Sequence, residues 1–372
     1  SHLARTFVVL SSLFLLIISS SVADEPPAPP AAAGAGVAND QVSQREVPAP
    51  EVLEQGPIHE AFAEPLLLER QEPVVVKKQP PEPINEMPPD ERPDGRNVEW
   101  INGYWKYDSM REDYVWVSGL WRDVPPDREW VAGQWQPIND GYTWSSGFWA
   151  EAGTSEVQTL PDPPETLEQG PSSPAPGDDY LWAPGCWRYE NGDYAWQPGF
   201  WYRAEPNWVW VPNHYNYTSQ GCVYVNGYWD YPLARRGLLY APLFWRSGYH
   251  GWYGRAYYRP RHIINTGLLI ANLFVHHHHG HYYYGFGRGG APAWLYGWGL
   301  HGYHRWGHYG GGRFHGYDPL WAHYSWHNRQ GRHGNHRWGG KDFKHGQGHG
   351  SDRNRNLVTT TDKLSRQHRD AM

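Results

Sequence analysis

Tyr114-Val-Trp-Val-Ser-Gly-Leu-Trp121 and Tyr142-Thr-Trp-Ser-Ser-Gly-Phe-Trp149 share one pattern, Trp-x-x-Gly-x-Trp, and its spacing decides the fold class. The same pattern spans Trp100–Trp105, Trp116–Trp121, Trp130–Trp135, Trp144–Trp149, Trp182–Trp187 and Trp196–Trp201. Degenerate copies follow at Trp210–Tyr215, Tyr224–Trp229 and Tyr240–Trp245. Start-to-start spacings are 16, 14 and 14, then 38, then 14, 14, 14 and 16 residues. A short fixed period of this kind marks a repeat architecture in which each unit gains stability from its neighbours.

The residues at the centre of each copy are turn formers: Asn102-Gly103, Ser118-Gly119, Ala132-Gly133, Ser146-Gly147, Pro184-Gly185, Pro198-Gly199, Pro212-Asn213 and Asn226-Gly227. Asn-Gly suits a type I′ turn and Pro-Gly a type II turn, each with positive φ at the second position. Pairing Trp135 with Trp144, Trp187 with Trp196, Tyr215 with Tyr224, Trp121 with Trp130 and Trp201 with Trp210 places a second class of turn. These fall at Asn139-Asp140, Asn191-Gly192, Ser219-Gln220, Pro125-Pro126 and Glu205-Pro206. The fold class that follows is all-β, a short-strand antiparallel meander of tandem β-hairpins in two blocks, as a sandwich or one curved sheet. Disordered Pro-rich linkers and a Gly/His/Arg-rich tail flank the blocks. Opposed residues share a sheet face. Trp100, Trp105, Trp116, Trp121, Trp130, Trp135, Trp144, Trp149, Trp182, Trp187, Trp196, Trp201, Trp210 and Trp229 therefore form a structural ladder beside a partial row of tyrosines. Such rings are either a core or an exposed platform for sugars, and the first use opposes the second.

Composition supports an aromatic core: 23 Trp and 26 Tyr stand against 39% hydrophobic residues, with 33 Pro and 42 Gly. Charge is divided. Residues 246–372 hold 17 Lys/Arg and 5 Asp/Glu, net +12, while the remainder holds 15 and 34, net −19. A basic tail suits anionic wall or lipid surfaces. Nucleic acid is not an expected partner for an exported chain.

Residues 1–23 resemble a secretory signal, with Arg5, an apolar run from Phe7 to Ile18 and Ser21-Val22-Ala23 before the cleavage point. Residues 24–96 are a Pro/Ala/Glu-rich linker, with a short helix considered over His59 to Arg70. Block 1 is 97–151, a second Pro-rich linker is 152–178, and block 2 is 179–246. Residues 247–285 contain an aliphatic run, Ile263 to Val275, too short for a membrane span and expected to dock on the sheets as a strand or short helix. Residues 286–372 are a low-complexity tail. Leu-Glu-Gln-Gly-Pro occurs at Leu53–Pro57 and again at Leu167–Pro171, which suggests that linker and block were duplicated together.

Two cysteines, Cys186 and Cys222, do not make a disulfide framework, and the register puts them on opposite faces as free thiols. His276, His277, His278, His279 and His281 form the densest imidazole cluster, able to take Zn, Cu or Ni adventitiously; no cofactor is otherwise implied. No nucleophile elbow, zinc-protease, P-loop or dinucleotide motif occurs, so no catalysis is expected.

The units Tyr180-Leu-Trp-Ala-Pro-Gly-Cys-Trp187 and Tyr194-Ala-Trp-Gln-Pro-Gly-Phe-Trp201, with the two quoted first, resemble the WXXGXW (YXWGXW) repeat family of bacterial exported proteins. Together with Gly56-Pro-Ile-His-Glu-Ala-Phe-Ala-Glu-Pro65 and Tyr317-Asp-Pro-Leu-Trp321, the layout of roughly residues 50–330 resembles planctomycete envelope proteins. The resemblance implies an exported repeat architecture with no established activity. Envelope proteins, wall or lipid surfaces and glycans are the partners it leaves open.

Overall fold

Alternating aromatic and polar residues give four long antiparallel hairpins. Hairpin 1 pairs Val98–Ile101 with Leu120–Asp123 and Tyr104–Asp108 with Asp113–Val117. Hairpin 2 pairs Arg128–Val131 with Phe148–Glu151 and Gln134–Ile138 with Gly141–Ser145. Hairpin 3 pairs Tyr180–Ala183 with Phe200–Arg203 and Cys186–Glu190 with Asp193–Gln197. Hairpin 4 pairs Val209–Val211 with Tyr228–Asp230 and His214–Thr218 with Gly221–Val225. The computed structural model describes residues 49–95, 97–109, 111–246, 257–276, 281–285, 298–299, 316–333 and 357–360. Among them the architecture is strand-dominated in small sheets; hairpins 2, 3 and 4 stay two-stranded, while Glu51–Val52, Gly237–Leu238 and Leu243–Phe244 extend the sheets of hairpin 1.

Each hairpin holds two copies of the motif, one per strand, so the motif centre is not a turn. None of the eight centres has positive φ. Ile101 and Tyr104, for example, belong to successive strands of one arm, and Asn102-Gly103 is a break between them opposite Ser118-Gly119. The true reversals are the second class. Asn191 (φ 54°) and Gly192 (φ 88°) both carry the positive φ of a type I′ turn. The expected pairings of Trp135 with Trp144, Trp187 with Trp196 and Tyr215 with Tyr224 are present. Trp121 instead opposes Trp100, and Trp201 opposes Trp182. Pro125-Pro126 and Glu205-Pro206 lie in connections between hairpins, where a proline cannot donate to a ladder.

The aromatic row resolves into discrete pairs. Trp100–Trp121, Trp105–Trp116, Trp130–Trp149, Trp135–Trp144, Trp182–Trp201, Trp187–Trp196 and Trp210–Trp229 lie 5.1–5.5 Å apart between centroids, at 59–73°. Four of the pairs are edge-to-face and three are tilted, and such pairs contribute roughly 0.5–1.5 kcal/mol each beyond area burial. Every one of these fourteen rings is buried or half-buried.

The largest core is mainly aliphatic. It gathers Ile58, Phe62, Leu120, Leu239, Ile264, Leu269, Leu273, Val275 and Leu320 from short scattered segments. Residues 49–95, expected as linker, differ most from the sequence reading. Phe62 and Ala61 are fully buried, Gly56–Pro57 pairs with Tyr283 and Tyr284, and Leu66–Leu67 pairs with Gly316–Tyr317. Between His59 and Phe62 the chain makes a turn, closed by Phe62 N–H to His59 O at 2.9 Å, rather than the short helix. Pro65 lies just beyond, with no N–H to continue one. The aliphatic run forms both expected elements: strand His262–Ile264, helix Thr266–Asn272 and strand Leu273–His276. Part of the tail is core as well, since helix Pro319–His333 buries Leu320, Ala322 and Trp326.

Both cysteines are free. Opposite faces are not the reason, because Cys186 packs against the cluster of Leu160, Tyr215 and Cys222. Burial pushes the Cys186 thiol up to about 12 and Cys222 up to about 11, so both are protonated at neutral pH. An aromatic disulfide reagent is therefore expected to leave both thiols unlabelled at pH 7 until guanidinium is added, and labelling of the folded chain would refute the packing.

Candidate functional site

The motif glycine is required by a ring rather than by φ. A Cβ on Gly119 would lie 2.5 Å from Trp100 Cζ2, and one on Gly103 would lie 2.8 Å from Trp116 Cζ2. The same holds for Gly147 under Trp130 (2.3 Å), Gly133 under Trp144 (2.5 Å), Gly199 under Trp182 (2.4 Å), Gly185 under Trp196 (2.5 Å) and Gly227 under Trp210 (2.7 Å). The first Trp of each motif covers the glycine of the facing motif. A hairpin is thus a reciprocal pair of motifs, with a bare stretch of backbone, a notch, at its centre.

At each notch a glycine N–H leaves the ladder and needs an acceptor. In hairpin 1 Glu86 Oε2 accepts from Gly103 N (3.2 Å) and Gly119 N (2.7 Å), and Oε1 accepts from Trp116 Nε1 (3.1 Å). In hairpin 2 Glu60 accepts from Gly147 N (2.9 Å) and Trp144 Nε1 (2.6 Å). In hairpin 3 Glu168 accepts from Gly185 N and from Trp182 Nε1 at 3.0 Å. In hairpin 4 the acceptor for the glycine is internal: Asn213, standing where the other motifs have glycine, accepts from Gly227 N at 2.6 Å, while Glu151 accepts from the neighbouring Asn226 Nδ2 (2.8 Å).

These glutamates come from the Pro-rich segments, which lie as straps along the tryptophan faces. On hairpin 1, Tyr114 Oη donates to Lys78 O (2.6 Å), Trp105 Nε1 to Glu82 O (2.9 Å) and Trp121 Nε1 to Pro89 O (3.3 Å). On hairpin 3, Tyr194 Oη donates to Pro161 O, Trp187 Nε1 to Glu165 O (3.0 Å) and Trp201 Nε1 to Ser173 O (3.2 Å). The donors are equivalent, and both straps contain Pro-Pro-Glu, at Pro80–Glu82 and Pro163–Glu165. Each strap also bridges the following hairpin, Val76 to Tyr142 and Leu160 to Cys222. At those bridges a Cβ on Gly141 or Gly221 would meet the strap carbonyl at 2.4 or 2.3 Å.

Burial pushes the Glu86 carboxyl up to about 7 against the pull of its hydrogen bonds. In the unfolded chain it ionises near the ordinary Glu value, about 4.3. Between those two pH values the folded protein holds the extra proton. This group therefore adds stability at low pH that is lost as pH rises through about 7, on the order of 3 kcal/mol. Denaturation at pH 5 and pH 8 should show that fall, and Glu86→Gln should remove it.

Of the histidines suggested for metal, His277, His278 and His279 lie outside the described residues. His276 pairs with His281 in the backbone register. His281 is buried, with Nε2 donating to Ile58 O (2.7 Å) and Nδ1 3.0 Å from Glu64 Oε1 and 4.0 Å from Glu60 Oε1. Glu60, Glu64 and His281 have their donor atoms within 4.8 Å and are the described residues able to hold a metal together. Lys106 already supplies a positive charge there, 3.3 Å from Glu60. Burial and then the Glu60 charge push the Glu64 carboxyl up, and it lies within hydrogen-bond reach of His281 Nδ1. Sequence reading missed Glu60, Glu64, Glu86 and Glu168, although the doubled Pro-Pro-Glu was visible.

The family described as WXXGXW repeat (2 copies) matches residues 95–122, 177–203 and 206–230. The chain carries WXXGXW repeats. Two copies per match agree with the geometry, since two motifs make one hairpin. Hairpin 2 has the same register although it lies outside the matched residues. No curated protein and no solved structure matches the chain.

Proposed function

We propose that this WXXGXW protein is an exported structural or interaction protein of the cell envelope, of the planctomycete type, and does no catalysis. One observation carries the scaffold reading: all fourteen ladder tryptophans are buried or half-buried, and the chain's own straps cover the faces of hairpins 1 and 3. Rings used in this way hold the chain together and leave little flat surface for sugars. The carboxylates that could suggest acid–base chemistry, Glu60, Glu86 and Glu168, are occupied as acceptors for backbone and indole N–H groups. The signal-like start favours export, and the basic end favours anionic wall or lipid surfaces as partners.

Fractionating cells that express the full chain tests the location; recovery in the cytoplasm would overturn it. Iodide quenching tests the scaffold. Weak quenching that is unchanged by glycan is the expected result, and strong quenching relieved by glycan would reverse the reading.

A further inference from the structure

The two straps differ in sequence, yet equivalent donors hold them. In both, a tyrosine hydroxyl and two indole N–H groups read main-chain carbonyls, and one notch reads a carboxylate. Carbonyls of a proline-rich chain suit this use, because such a chain makes few hydrogen bonds of its own and is already extended. Aromatic grooves that recognise proline-rich ligands exploit the same economy of ordering. Of the strap's side chains, Glu168 fills the notch, Leu160 packs against Tyr215 and Cys222, Asp162 pairs with Arg70 and Ser173 Oγ accepts from Trp201; the other contacts are to main chain.

We propose that the tryptophan face of hairpin 3 is a recognition surface for extended, proline-rich segments bearing one glutamate, and that it accepts such a segment from another polypeptide. This deepens the interaction-protein reading and rests on it, but its test does not depend on where the protein resides. The strap's connections favour exchange. Residues 151–159 are all exposed, as are 171–176 on the other side. The contacts of 160–173 are the same whether the segment arrives from its own chain or a second one. Hairpin 1 is held more firmly, since Glu86 accepts from both motif glycines and Met87 and Asn85 also bond to Tyr258.

The probe is a labelled synthetic peptide covering residues 158–175. In the wild-type chain the resident strap competes at an effective concentration near millimolar, so added peptide binds weakly. In a full-length variant whose residues 160–173 are replaced by Gly and Ser, the peptide is expected to bind at least about tenfold tighter. A Glu168→Gln peptide should bind that variant about tenfold more weakly, because the charged acceptor is lost. A scrambled peptide that binds as well as the parent overturns the proposal. Should the replaced chain not fold, protease sites placed within 153–158 and 174–176 free the strap after folding. Labelled peptide then displaces the cut strap, or, if it does not, the proposal fails.

Discussion

Asp230→Ala is expected to cost about 3–5 kcal/mol of stability, the range for removing one partner of a buried ion pair. Asp230 sits between two guanidinium groups, with Arg122 Nη2 at 2.5 Å from Oδ1 and Arg236 Nη2 at 2.9 Å from Oδ2. All three residues are buried. Arg122 comes from hairpin 1 and Asp230 from hairpin 4. One further donor of each guanidinium reaches the same segment: Arg122 Nε donates to Ala61 O (2.8 Å) and Arg236 Nη1 to Phe62 O (2.6 Å). Without the carboxylate, two cations face each other in a dry site that no solvent screens. The contrast is Arg203 with Asp179, a pair largely in water, where Arg203→Ala should cost less than about 1 kcal/mol. Guanidinium denaturation of the two variants checks both numbers. A small loss for Asp230→Ala would mean that this triad does not join hairpins 1 and 4.

The hairpins were legible because their causes are local. Aromatic alternation marks the strands, and Asn191-Gly192 fixes a two-residue reversal between Glu190 and Asp193. The motif glycine was ambiguous because a turn and a covered backbone both require glycine at the same position. The straps were illegible for a different reason. Pro-rich composition predicts a chain with no core of its own, which is true of 76–91 and 160–173, but their order comes from donors on hairpins distant in sequence. The central core escaped likewise: Ile58, Leu239 and Leu320 lie in unrelated segments, and no periodicity joins them.

Gly133→Asn separates the two explanations of the motif glycine. Were that position a turn of positive φ, asparagine would be well tolerated, as it should be at Gly192, with a cost below about 1 kcal/mol. Under a ring, any Cβ is the problem. At Gly133 it would lie 2.5 Å from Trp144 Cζ2 and 2.8 Å from Ser145 O, so both Ala and Asn are expected to cost about 2–4 kcal/mol. Hairpin 4 shows how the chain tolerates such a change. Asn213 occupies the glycine position, and the position that holds Trp144 in hairpin 2 holds Tyr224, which pairs with Tyr215 as Trp144 pairs with Trp135. The smaller ring and the larger residue occur together, and the Asn213 amide oxygen takes over the acceptor role that Glu60 fills in hairpin 2. Building both changes into hairpin 2 should then recover stability relative to the sum of the single variants. A double-mutant cycle of Gly133→Asn and Trp144→Tyr is expected to show favourable coupling of about 1–3 kcal/mol. Strict additivity would mean that the ring does not dictate the glycine, and the motif would need another cause.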